Sequence, residues 1–274
     1  MTQSNTSPES IIKEYPRLGP DDRISFRCSR TLDCFTRCCS DVSIVLTPYD
    51  IIRMKQALRI DSTSFLEQYT ISPFTKEQKI PVVLLKMNPE TKRCQFVSTE
   101  SGCSIYENRP WACRMYPLGM AEPDTPTPED RRFYFLLKEA TCLGHDENNL
   151  ITVREWIDDQ GIEEYDAYGV PFKDIMLHPF WNGEEPLSPE QIDMYYMACY
   201  DLDRFRRFVF DTRFLELFDV DEDRVDAMRA SDLELSEFAM QWLKFSLFKE
   251  KSMKIKRSVI ESKLAADANI GIES

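Results

Sequence analysis

The stretch Cys28-Ser29-Arg30-Thr31-Leu32-Asp33-Cys34-Phe35-Thr36-Arg37-Cys38-Cys39 places four thiols in one short run. A second group follows as Cys94-x8-Cys103-x9-Cys113, then Cys142 in Cys142-Leu143-Gly144; the ninth cysteine, Cys199, stands alone. Clustered cysteines in a reducing compartment bind metal or do redox chemistry more often than they form disulfides. Adjacent Cys38 and Cys39 could bridge each other only with strain. Thiolate is a soft ligand that selects zinc, copper(I) or the iron of iron–sulfur clusters. The chain has no Cys-x2-Cys knuckle, no ferredoxin run, and only two histidines, His145 and His178. Spacing therefore leaves iron–sulfur and zinc both open. Cys199 shares a helical face with Ile192, Tyr195 and Leu202 and reads as core.

The 274 residues carry 34 Lys and Arg against 47 Asp and Glu, a net charge of -13. Such a chain repels phosphate backbones, which argues against general nucleic-acid binding, and suits anionic membrane surfaces poorly. Hydrophobic residues at 42% supply enough bulk for a core. The polar start, Met1–Ser10, lacks a signal-peptide pattern, and no apolar run approaches the roughly 18 residues of a membrane span. A cytoplasmic protein is expected, with a protein partner or substrate left open.

Outward from the cysteines, the chain predicts an α+β fold: a small cysteine-rich α+β domain over residues 20–145 and a mostly α-helical C-terminal extension over 146–274. Helix starts are legible as caps: Thr47-Pro48, Asp61 or Ser62, Thr152 with Glu155, Ser188-Pro189 with Gln191, and Ser231 with Glu234. The Ser188 helix is expected to run through Phe208. The acidic run Asp219–Asp223 suits a helix start. Strands are expected at Val42–Leu46, in a hairpin of Val82–Leu85 and Cys94–Val97 around Asn88-Pro89, and at Phe133–Leu137. Proline-rich Glu122–Asp130 reads as a loop. Arg109 and Arg114 flank Cys113, where guanidinium donors could neutralise and hydrogen-bond a thiolate centre.

The combination Phe26-Arg27-Cys28, Cys38-Cys39, Cys94-Gln95-Phe96, Cys103-Ser104-Ile105-Tyr106, Arg109-Pro110, Cys113-Arg114 and Tyr116-Pro117 resembles the YkgJ-type cysteine-cluster family. That family is described as a zinc- or iron-chelating domain and includes the flagellin lysine N-methylase FliB. Many members have Cys-x2-Cys where this chain has Cys28-x5-Cys34. The resemblance implies chelation through Cys28, Cys34, Cys38, Cys39, Cys94, Cys103, Cys113 and Cys142, with Tyr106, Arg109, Arg114 and Tyr116 around them. It favours an iron–sulfur cluster over zinc. For the methylase branch it also implies S-adenosylmethionine, yet no Gly-rich strand-to-helix loop for that cofactor is present among the 8 glycines. Three functions follow: a redox or catalytic metal-cluster protein, a structural zinc module for protein interaction, and a FliB-like lysine methyltransferase. The residues name no reaction.

Overall fold

The structure is a computed structural model that describes residues 15–73, 79–123, 127, 131–183 and 186–262. It divides into two compact units, one of residues up to 44 together with 86–166, the other of residues 45–85 together with those from 167 onward. The boundaries place Val45–Leu85 with the C-terminal helices. Small antiparallel strand pairs and a helical C-terminal part make the fold α+β.

In the first unit, β1 (Arg23–Ser25) is followed by a 3-10 turn at Arg37–Cys39. The rest of the unit's strands are β4 (Val97–Ser98), β5 (Gly102–Cys103), β6 (Leu118–Ala121), β7 (Phe133–Leu136) and β8 (Leu150–Thr152), with β2 and β3 in the other unit. β1 pairs with β8, in register Ile24 to Ile151, and β6 pairs with β7, in register Gly119 to Phe135. The short helix α3 (Trp111–Met115) and α4 (Val153–Asp159) complete the frame. Thr152 caps α4 in a capping box with Glu155, as its sequence predicts. The core gathers Ile24, Phe26, Met115, Leu118, Tyr134, Val153, Ile157 and Ile162. Phe26 is its pivot, meeting Tyr116, His145 and Trp156 edge-on or tilted at centroid distances of 6.0, 5.1 and 5.3 Å.

In the second unit, α1 (Pro48–Leu58) starts from a capping box of Thr47 and Asp50, and α2 (Ser62–Tyr69) from Asp61. β2 (Thr70–Ile71) pairs with β3 (Leu84–Leu85). Helix α5 (Ile162–Met176) carries the unit boundary, and α6 (Pro189–Cys199), α7 (Leu202–Phe210), α8 (Phe214–Leu217), α9 (Glu222–Ala230) and α10 (Asp232–Ser246) follow. Cys199 is buried in this core. No helix among the described residues is long and apolar enough to cross a membrane.

Three local expectations need correction. Val42–Leu46 forms no strand and contributes one bridge, Val45 to Leu84. The hairpin around Asn88 shrinks to one bridge, Met87 to Cys94, because Leu84 pairs with Ile71 and Val97 with Cys103 instead. The Ser188 helix stops at Cys199, because the Asp201 side chain accepts from Arg204 N–H and starts a new helix. Within Glu122–Asp130, residues 124–126 and 128–130 lie outside the described residues.

Candidate metal centre

All eight clustered cysteines lie in the first unit, and all nine cysteines of the chain are thiols. Their positions follow from main-chain hydrogen bonds that tie distant loops together. Arg27 N–H donates to Gly144 O at 3.0 Å, which fastens the segment of Cys28 to that of Cys142. Leu143 N–H donates to the Cys34 sulfur at 3.3 Å. Gly144 is required at this crossing: a Cβ there would meet Phe26 Cε2 at 2.8 Å and Arg27 O at 3.0 Å. Gly144→Ala should therefore cost about 1–3 kcal/mol, read as a fall in thermal midpoint, because a main-chain oxygen cannot step aside as a flexible side-chain tip can.

A second set of bonds joins the remaining loops. Cys94 N–H donates to Cys39 O at 2.8 Å, and Asp41 N–H to Lys92 O at 2.8 Å. The Asn88 side chain holds the turn between them by accepting from Glu90 and Thr91 N–H. Cys103 lies in β5 opposite Val97. Cys113 sits in the first turn of α3, its N–H donating to Pro110 O at 3.0 Å.

The thiols feel one another. Burial pushes Cys28 up to about 11, with further contributions from the thiols of Cys38, Cys34 and Cys142. The Cys38 and Cys39 sulfurs are 4.0 Å apart. Their mutual hydrogen bond lowers Cys38, against burial and the Glu139 carboxylate, and raises Cys39, whose other thiol neighbours are Cys113 and Cys94. Burial raises Cys94, whose neighbours are Cys103 and Arg93, and likewise Cys103, beside Arg109. Among the described residues, no three Cys, His, Asp or Glu side chains already converge as ligands of one ion. The main-chain hydrogen bonds nonetheless tie the loops that carry these thiols to one another.

The surrounding residues divide by role. Arg109 is buried, lies over the Tyr106 ring at 3.7 Å and donates to Tyr106 O at 2.6 Å. Its other nitrogen donates to Gln160 Oε1. Burial lowers its pKa, while Tyr106, Cys113 and Cys103 act in the opposite direction. It is thus a fixed cation among thiols, suited to neutralise an anionic thiolate centre. Arg114 serves main-chain carbonyls instead, donating to Arg109 O at 3.1 Å and Gln160 O at 2.7 Å, and stacks over Tyr165. Tyr106 is largely exposed. The Tyr116 hydroxyl is buried without a hydrogen bond of ordinary geometry, and its pKa is raised by burial and then by the Cys142 thiol beside it. Sequence reasoning missed Gln160, Arg93 and Glu139. Gln160 carries no local motif, since its role depends on packing across 51 residues to Arg109; Arg93 was discoverable as the neighbour of Cys94.

The donor set fits a thiophilic metal: eight soft ligands, a buried guanidinium and a buried tyrosine hydroxyl on converging loops. Zinc or iron would take its ligands from Cys28, Cys34, Cys38, Cys39, Cys94, Cys103, Cys113 and Cys142. Residues 27–143 match the model of the CxxCxxCC family, described as "Putative zinc- or iron-chelating domain". No curated protein matches the chain, and no solved structure does. The match covers less than half of the 274 residues and lies over every one of the eight thiols. The segment that carries the eight thiols is therefore similar to the zinc- or iron-chelating domain of the CxxCxxCC family.

Proposed function

We propose that the first unit holds an iron–sulfur centre through these thiolates, in a cytoplasmic protein. The observation that carries this reading is the gathering of eight thiols in one unit with the buried Arg109 guanidinium beside Cys103 and Cys113, a soft donor set with a built-in counter-charge. Cluster ligation by cysteine uses thiolates of this kind, and Arg109 among Cys103 and Cys113 supplies the positive charge that an anionic cluster favours. Such a centre would supply electron transfer or substrate activation at iron.

A structural zinc centre is the second reading. It is favoured by the brevity of the regular structure in the cysteine-bearing loops, where β4 and β5 are two residues each, since a thiolate-bound zinc can supply folding free energy to such loops. The discriminating test is anaerobic purification, an absorption spectrum, and analysis for iron, sulfide and zinc. The expected result is a brown protein with a broad band near ~400 nm that bleaches with dithionite, and sulfide in proportion to iron. A colourless protein with firmly held zinc, no sulfide and no response to dithionite overturns the iron–sulfur reading and leaves zinc.

A further inference from the structure

Successive residues of a 3-10 turn project about 120° apart, and the Arg37–Cys39 turn ends in two successive cysteines. Cys38 and Cys39 are thereby directed into different surroundings. On the side of Cys38, the Arg27–Gly144 and Leu143–Cys34 hydrogen bonds bring Cys28, Cys34 and Cys142 together. On the side of Cys39, its carbonyl receives Cys94 N–H, Val97 N–H donates to Cys94 O, and Val97 in turn pairs with Cys103. Cys113 completes this side, sharing the Arg109 guanidinium with Cys103.

The electrostatic neighbours separate along the same line. Cys28 feels Cys38, Cys34 and Cys142. Cys39 feels Cys113 and Cys94, and Cys94 feels Cys103. Among these interactions, the link between the two groups is the Cys38–Cys39 step itself. The surroundings also differ in sign. Arg109 and Arg93 stand beside the Cys39 group, whereas the Tyr116 hydroxyl and the Glu139 carboxylate stand beside the Cys38 group.

We propose that the eight thiols form two tetrathiolate metal centres, Cys28, Cys34, Cys38 and Cys142 holding one and Cys39, Cys94, Cys103 and Cys113 the other, meeting at the Cys38–Cys39 step. This rests on the chelation reading above and deepens it; the partition holds for zinc or for iron–sulfur. Eight thiols are the number two four-thiolate sites require. With the sulfurs of Cys38 and Cys39 at 4.0 Å and metal–sulfur bonds of about 2.3 Å, the nearest metals of the two centres lie within about 9 Å of each other. Paramagnetic ions that close interact magnetically.

The test compares the full-length wild-type chain with Cys28→Ser and Cys103→Ser, all purified anaerobically. Metal and sulfide are counted per chain, and electron paramagnetic resonance is recorded on the reduced protein, or on the cobalt-substituted protein if the metal is zinc. The expected wild-type result is two centres per chain with spin coupling between them. Each variant should hold half the wild-type metal, show an uncoupled signal, and give a spectrum distinct from the other variant's. One centre per chain, lost from both variants alike, overturns the partition while leaving the chelation reading intact. A wild-type chain that holds neither metal overturns both. If a variant fails to fold, cobalt titration of the wild-type chain decides: tetrathiolate absorption should saturate at two equivalents, and saturation at one overturns the proposal.

Discussion

Stripping the metal with a chelator under reducing conditions should unfold the cysteine-bearing loops of the first unit and leave the helices of the second unit folded. The loops have little else to hold them. Between Cys28 and Cys113 in this unit, the regular elements are two 3-10 turns, a pair of two-residue strands and the start of α3. Strands this short do not sustain themselves in water. The apolar cluster around Phe26 draws on β1, β6, β7, α3, α4 and the start of α5, and outside it the segments of Cys94 and Cys103 add the buried Phe96 and Ile105. Thiolate zinc contributes on the order of 10–16 kcal/mol to folding of small domains, more than such loops can replace. Hydrogen exchange reads the outcome by position. The amides of Asp41, Cys94 and Ser104, each bonded to a loop carbonyl at 2.8 Å, should lose protection when metal leaves. Those within α10 should keep theirs, since that helix belongs to the other unit. Unchanged protection at Cys94 and Ser104 after complete metal removal would show that the loops are self-supporting.

What was legible in the sequence follows the range of the interaction. Thr47 with Asp50, Thr152 with Glu155, and Ser188 with Gln191 each satisfy their helix start within three residues, and all three form. Strand pairing is not local. Val82–Leu85 and Cys94–Val97 look like hairpin partners around Asn88, but Leu84 finds Ile71 and Val97 finds Cys103, so packing chose among plausible edges. The Asp201 break was hidden for a similar reason. Its carboxylate is held by the Ser62 and Thr63 hydroxyls from 139 and 138 residues away, and nothing beside it in the chain announces that. In the site, the residue types alone point to metal, because eight soft ligands have few other uses. Which thiols face each other is set by crossings such as Leu143 to Cys34, 109 residues apart. The different tasks of Arg109 and Arg114 depend on Gln160 and could not be read from their flanking positions.

Lys55→Met should destabilise the second unit by about 1–3 kcal/mol, the cost of leaving two partly buried carboxylates without their buried ammonium partner. Lys55 is only 5% exposed, and its ammonium bridges Asp203 at 2.7 Å and Asp232 at 3.0 Å. Methionine fills much the same volume, so packing survives and the charge is what is lost. Asp232 retains Arg206 at 2.6 Å, which limits the damage on that side. Asp203 keeps the Ser62 N–H at 2.7 Å but loses its ammonium. The loss should also depend on pH. Burial raises the Asp203 pKa, but Lys55 and the Ser62 hydrogen bonds outweigh it and hold the carboxyl below its ordinary value. A carboxylate depressed in the folded state stabilises fully above its unfolded pKa of about 3.9 and loses that contribution as pH falls through the folded value. The gap between wild type and Lys55→Met in urea unfolding should therefore be constant from neutral pH down to about 5 and close below about 4. A gap that persists unchanged in acid would mean that Lys55 acts through its methylene stem, packed within the fold, and not through its charge.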